Sequence, residues 1–390
     1  MISLNFPQPQ TIKTLGTEKY WVFTESHGRM LETLCGNTAY IFGFDNPDII
    51  KSVTQQQKEL SYLIHTNYTC DANDQLITTL CTQGRFAGLA WAVSGTDGVE
   101  CAIAMNDQYW RQKGQPRDKI VSFSPGYHGS TYLARAMRGS ERMPNVIVAK
   151  SPQWKKLKHR EFAEYHCFQL LENQLRYNPS IGAVIMESIP WANGLQPWSK
   201  KWWVDIRALC TELNINLIID DVMGGAGKLG AVFSHTLYDI QPDIAVLGKS
   251  LTGGFSPLSC ACASKEITDT INGTWEYGHT WQPNMAGVAA AITSLKLLDL
   301  DKVPVIEKRL AAIGAKLIEL GYVKDIISAG LLCTFLFADD HCTSKDHLHQ
   351  HGLTTNSLSN SVTGLVICAP IIADDEYFIE LENRLINALK

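Results

Sequence analysis

The segments INLIIDDVMGGAGKLG (215–230) and DIAVLGKSLTGGFSP (243–257) each open with an apolar run short enough to be one buried strand. The first run ends at Asp220 and Asp221, the second at Gly248 and Lys249. Buried parallel strands read as continuous Val/Ile/Leu runs, and ligands of open α/β sheets sit at the carboxyl ends of the strands. The two segments therefore bring an acid and an amine to one rim. A lysine in a glycine-rich loop beside a carboxylate suits imine formation with a carbonyl, because desolvation helps it shed its proton. A solvated loop lysine is the plainer alternative for Lys249 taken alone.

Outward from this pair the chain alternates strands and helices. LAWAVSG, KIVSFS and IGAVIMES read as strands, and each runs into a turn: SGTDGVE, PGYHGS and the loop IPWANG after Glu187. SGTDGVE turns sharply into a helix, with Asp97 and Glu100 at capping-box spacing, so its free N–H groups could receive an anion. GFDNPDIIKSVTQQQKEL reads as a helix capped by Asn46 with Pro47 in its first turn. LSCACAS is a strand placing Cys260 and Cys262 on one face. From about Met285 a helical pattern leaves the sheet, and the last hundred residues alternate helices and strands. The fold expected is α/β: a mostly parallel central sheet with helices on both faces, plus a smaller α/β part built from both chain ends.

Composition limits the partners. A formal charge of -5 gives no general attraction to phosphate backbones. KKLKHR (155–160) is the one basic cluster, read as an exposed face, although it is where a nucleic-acid or carrier-linked substrate would bind. No apolar run is long enough for a membrane span, and MISLNFPQPQ lacks the pattern of a signal peptide. Eleven scattered cysteines without paired CxxC spacing fit reduced thiols in a cytoplasmic protein, and no metal site is expected.

Taken together, the rim segments resemble the class III (ω-amino acid) aminotransferases, pyridoxal-phosphate enzymes of fold type I. SGTDGVE resembles that family's phosphate turn and PGYHGST its YHG turn. MESIPWANG resembles its glutamate strand end, and DDVMGGAGKLG its D-E-V-x-T-G-F-G-R-x-G. DIAVLGKSLTGGFSP resembles its lysine motif, and GHTWQPN its G-(H/N/S)-T-(Y/F)-x-x-N segment. The resemblance covers roughly Tyr20 to the C-terminus. It implies a small-domain segment at 1–47, a large cofactor domain at 48–284 and a small domain at 285–390.

The resemblance also implies roles. Lys249 would form the Schiff base with pyridoxal 5'-phosphate and then move a proton. Asp220 would hold the ring nitrogen protonated. Tyr127 and Val222 would flank the ring, with Gly95 and Thr96 at the phosphate and Glu187 close by. Thr280 would reach the phosphate of a neighbouring subunit, implying a homodimer, and His128 would be structural. Asn37, Thr38, Tyr40, Trp191 and Trp281 would line the substrate side.

The chain departs from the family pattern at Asp221, Gly224, Ala226 and Lys228. Ile367 stands where many relatives place a carboxylate-binding arginine, and Ala192 where its glutamate partner stands. A bidentate carboxylate fork is therefore absent. These features imply an aminotransferase acting between an amine or ω-amino acid and an oxo acid or aldehyde. The alternatives are a decarboxylase, lyase, aminomutase or racemase, or a binding protein that kept the fold.

Overall fold

In the computed structural model, which describes residues 12–64, 67–152, 159–338, 343–354 and 363–390, the apolar runs become the middle of a seven-stranded sheet. The strands in chain order are β1 (Thr14–Glu18), β2 (Trp21–Thr24), β3 (Gly28–Glu32), β4 (Gly88–Ala92), β5 (Lys119–Ser124), β6 (Val146–Lys150) and β7 (Ile181–Glu187). They continue with β8 (Asn216–Asp220), β9 (Ile244–Leu247), β10 (Ser259–Ala263), β11 (Val323–Ala329), β12 (Leu332–Phe337), β13 (Leu353–Thr354) and β14 (Gly364–Cys368). The large sheet has the order β4-β10-β9-β8-β7-β5-β6. β10 alone runs antiparallel to its neighbours, while β6, β5, β7, β8 and β9 are parallel.

Every residue of β7, β8 and β9 is buried, as expected of strands covered on both faces. Ile218 packs with Val99, Ile103 and Trp110 of the helix Gly95–Gln112 on one face. Its neighbours Leu217 and Ile219 point to the other, among Trp202, Trp203 and Ile206 of the helix Lys200–Glu212. There Trp198 stacks on Trp202 with ring centroids 5.0 Å apart. A single alternating strand thus anchors both helix layers.

The register positions the chemistry. Glu187 pairs with Asp220, and Asp220 with Val246. The last residues of β7 and β8 therefore lie side by side, three residues short of Lys249 on the next strand's exit. The smaller part uses both chain ends, since β13 pairs in parallel with β3 and completes the sheet β1-β2-β3-β13. A further antiparallel sheet, β11-β12-β14, packs with the helices Lys302–Glu319 and Asp375–Leu389.

Two expectations need correction. The sequence reading assigns no strand to Val146–Lys150, which is the half-exposed edge strand β6. The helix Gly95–Gln112 is capped by the Ser94 hydroxyl, which accepts from Asp97 N–H at 3.2 Å. The Asp97 carboxylate instead takes the Val93 N–H at 2.7 Å and His279 Nε2 at 2.8 Å, and Glu100 accepts from the Thr131 hydroxyl. Asn46 does cap Pro47–Glu59, accepting from Asp48 and Ile49 N–H. No helix among the described residues is long and apolar enough to cross a membrane.

Candidate active site

The exits of β7, β8 and β9 open onto a cavity of about 430 Å³. Asp220 is almost wholly buried. Its Oδ2 lies 2.8 Å from His128 Nδ1, and its Oδ1 accepts from Val222 N–H at 3.2 Å. Burial alone would depress the His128 pKa, but the Asp220 hydrogen bond and the charges of Asp220 and Glu187 raise it above the ordinary value. An imidazole that keeps its proton beside Asp220 preserves the carboxylate's negative charge at the cavity floor. His128, expected to be structural, is a direct hydrogen-bond partner of Asp220.

Lys249 follows β9 in a left-handed conformation, φ 50°, at the start of the 3-10 turn Lys249–Thr252. A residue with a Cβ is uncommon in this region, and such strain concentrates at functional sites. The lysine reaches the cavity, and the protein around its amine lowers its pKa. The charges of Asp220 and Glu187 oppose that effect without reversing it. The result is a lysine biased toward its neutral, nucleophilic form.

Glu187 has both carboxylate oxygens engaged, accepting from Tyr127 N–H at 2.9 Å and Trp191 N–H at 3.1 Å. Burial pushes its pKa up to about 7, with the His128 charge and these two N–H groups pulling down and Asp220 pushing up. The unfolded chain therefore loses this proton first. As pH rises from 4.5 to 7, ionisation of Glu187 in the unfolded chain, while the folded one still holds its proton, erodes wild-type stability. Glu187→Gln does not titrate. In cofactor-free protein its stability relative to wild type should accordingly rise across that window, by up to about 3 kcal/mol. Denaturant melts at the two ends of the window check this, and a flat difference would refute it.

At the other end of the cavity lies the start of the helix Gly95–Gln112. A Cβ on Gly95 would meet Val222 Cγ1 at 2.7 Å, and one on Gly129, whose φ is 124°, would meet Thr96 Oγ1 at 2.3 Å. Only glycines allow the helix start, the Val222 loop and the Tyr127–Gly129 turn to converge this closely. The positive end of an eighteen-residue helix thus borders the cavity, as an anion requires.

Of the expected residues, Asn37, Thr38, Gly95, Thr96, Tyr127, Glu187, Trp191, Asp220, Val222 and Lys249 line this one cavity. Tyr40 does not; it packs on Phe44 and Phe255, with centroids 4.9 and 5.8 Å away. Trp281 also lies elsewhere, and Thr280, expected at a neighbouring subunit's phosphate, lies outside this cavity. The Thr280 carbonyl accepts from Tyr62 OH at 2.8 Å, and Trp281 is 62% exposed beside Tyr62. Met223, Ser94 and Gly129 line the cavity without having been singled out. Adjacency to Val222, Gly95 and His128 was the signal available. Residues 155–158 of the basic cluster lie outside the described residues. Among the described residues no group of three metal-ligating side chains is arranged to hold a metal ion.

The arrangement fits pyridoxal phosphate. A lysine biased toward neutrality suits an aldehyde, and a buried carboxylate suits a protonated ring nitrogen. Tyr127 and Val222 offer two walls for a flat ring, and Ser94, Gly95 and Thr96 offer donors for a phosphate.

Comparison with known proteins points the same way. The sequence model for "Aminotransferase class-III" matches residues 11–389. The adenosylmethionine-8-amino-7-oxononanoate aminotransferase of Synechococcus elongatus is 30% identical over 267 residues, 64% of this chain and 63% of that protein. The protein of the same name from Buchnera aphidicola subsp. Acyrthosiphon pisum is 26% identical over 350 residues, 85% of this chain and 81% of that protein. An amine transaminase from an uncultivated Pseudomonas species, solved with pyridoxal phosphate bound, superposes with a TM-score of 0.88 at 20% identity. It covers 100% of this chain and 99% of that one. The Pseudomonas jessenii omega transaminase in complex with PMP gives 0.88 at 21% identity, covering 97% and 92%. At these identities the two structures establish the fold.

Proposed function

The chain belongs to the class-III aminotransferases, and from that premise we propose that it moves an amino group between an amine or ω-amino acid and an oxo acid or aldehyde. The observation that carries this reading is the meeting of Lys249, Asp220 and the start of the helix Gly95–Gln112 in one cavity. Pyridoxal phosphate, when bound, supplies a reactive aldehyde and a ring that accepts the electron pair released at the substrate carbon. The protein does the rest. Lys249 offers an amine whose pKa burial lowers and that can hold and return a proton. Asp220, backed by His128, keeps negative charge at the cavity floor. Ser94, Gly95 and Thr96 anchor the opposite end, and Tyr127 and Val222 fix the plane between.

The substrate side supports an uncharged tail. Asn37, Thr38, Trp191 and Met223 form that wall, and Ile367 is fully buried in β14. Removing a carboxylate-binding fork leaves substrates without a carboxylate at that distance favoured. The named relatives are aminotransferases, and no contact in the cavity favours the decarboxylase, lyase, aminomutase or racemase alternative.

An exposed patch of Tyr62, Ile64, Tyr68 and Trp281 supports a homodimer in which Thr280 serves the partner's phosphate; a solution mass of one chain would exclude it. The described cysteines are free thiols, which suits the cytoplasm.

The test is spectroscopic. Purified protein loaded with pyridoxal phosphate should lose its visible cofactor band on addition of an amine donor and regain it on addition of an oxo acid or aldehyde. Recovery of the band without any acceptor, or failure to bind the cofactor, would overturn the reading.

A further inference from the structure

Beside the cavity, Cys35, Gly36, Asn37 and Thr38 have φ of 48°, 56°, 65° and 67°. Thr38 N–H donates to Leu34 O at 2.6 Å and Ala39 N–H to Cys35 O at 2.9 Å. This is one turn of left-handed helix, and all but Gly36 carry a Cβ that disfavours it. A run of such residues persists only where the surroundings over-determine it.

The surroundings are supplied by Glu32, the last residue of β3. It is 6% exposed, and its Oε2 accepts from Leu34 N–H at 3.0 Å. Burial pushes the Glu32 pKa up to about 7, and the Leu34, Cys35 and Gly36 N–H groups around the carboxylate pull it back down. One buried carboxylate thus holds the backbone where the left-handed turn begins.

The turn ends in the cavity wall, to which it contributes Asn37 and Thr38. Thr38 is fully buried, and its hydroxyl donates to Met223 Sδ at 3.3 Å. The same sulfur lies 3.9 Å from Lys249 Nζ. Glu32 itself does not line the cavity.

We infer that Glu32 is a positioning residue for amino transfer: by holding the turn at 35–38 it fixes the substrate-side wall and, through Thr38 and Met223, the resting place of the Lys249 amine. The geometry stands without the functional reading; its consequence for turnover rests on that reading.

The test has two arms. In cofactor-free Glu32→Gln, amide hydrogen exchange at residues 34–36 should accelerate at least about tenfold, since an amide cannot replace both carboxylate oxygens as acceptors. In the loaded variant the KM for an amine donor should rise about tenfold, while cofactor affinity stays within about twofold of wild type. Thr38→Val keeps the shape and leaves exchange at 34–36 unchanged, yet should slow the amine half-reaction by about threefold. Unchanged exchange in Glu32→Gln overturns the anchoring. Faster exchange with unchanged KM, or a Thr38→Val half-reaction at the wild-type rate, overturns the positioning role. If Glu32→Gln does not fold, Thr38→Val decides. If wild-type protein responds to no amine, the functional reading fails while exchange still decides the anchoring.

Discussion

Lys249→Ala should lower amine turnover by at least about a thousandfold, the range of a lost nucleophile and proton carrier together, while the protein still folds. Among the described residues lining the cavity no other side chain carries an amine. The nearest substitute would be Lys228, which is fully buried and whose pKa burial and the Lys249 charge lower to about 7. A lysine with so low a pKa is the obvious replacement for the lost amine. The structure holds it back: Lys228 Nζ donates to Gly225 O at 2.9 Å and to the Ser250 hydroxyl. Its own carbonyl accepts from Leu331 N–H at 2.8 Å, fastening that loop to the smaller part of the chain. Lys228 therefore braces the turn after Lys249 and cannot reach the cavity without breaking that brace. Lys249→Arg should fail equally, because guanidinium stays charged at any working pH. The measurement is the rate of cofactor bleaching by an amine in a single turnover. A loss below about tenfold would mean that another group carries the proton.

How much of this was legible beforehand depended on the range of each interaction. The runs ending at Asp220 and Lys249 announced themselves because strands buried on both faces must be apolar throughout. β6 escaped because an edge strand is covered on fewer sides, and Val148 is 37% exposed. The Asp220–His128 contact joins residues 92 positions apart, so only the resemblance to a known family placed both near one ring. Tyr40 was misplaced for a local reason. The left-handed turn before it carries Thr38 inward and swings the tyrosine ring onto Gly36 and Gly254, which have no side chain to resist it. In CGNTAY only Gly36 and Asn37 favour the left-handed region, too little to announce four consecutive residues in it. The cause lies in Glu32, whose carboxylate in sequence looks like any strand terminus.

Asp220→Asn should cost about a hundred- to a thousandfold in turnover, the scale of removing a preorganised charge from a desolvated site. The side chain keeps its size and can still accept from Val222 N–H, so the loss is mainly one of charge. Two consequences distinguish this from simple damage. First, the His128 pKa should fall. Burial already pushes it down, and the Asp220 hydrogen bond and charge are the main forces that lift it. An imidazole resonance followed by NMR against pH would show the drop. Second, the stability difference between wild type and variant should depend on pH in a fixed direction. A histidine whose folded pKa is raised stabilises the fold fully below its ordinary value of 6.5, and that contribution disappears as pH rises through the folded value. The cofactor-free variant should thus be destabilised by about 3 kcal/mol on the acid side of this window, where a buried charge loses its partner, and by less above it. A difference that grows with pH would mean that His128 is neutral beside Asp220, and that the carboxylate at the cavity floor owes its charge to some other neighbour.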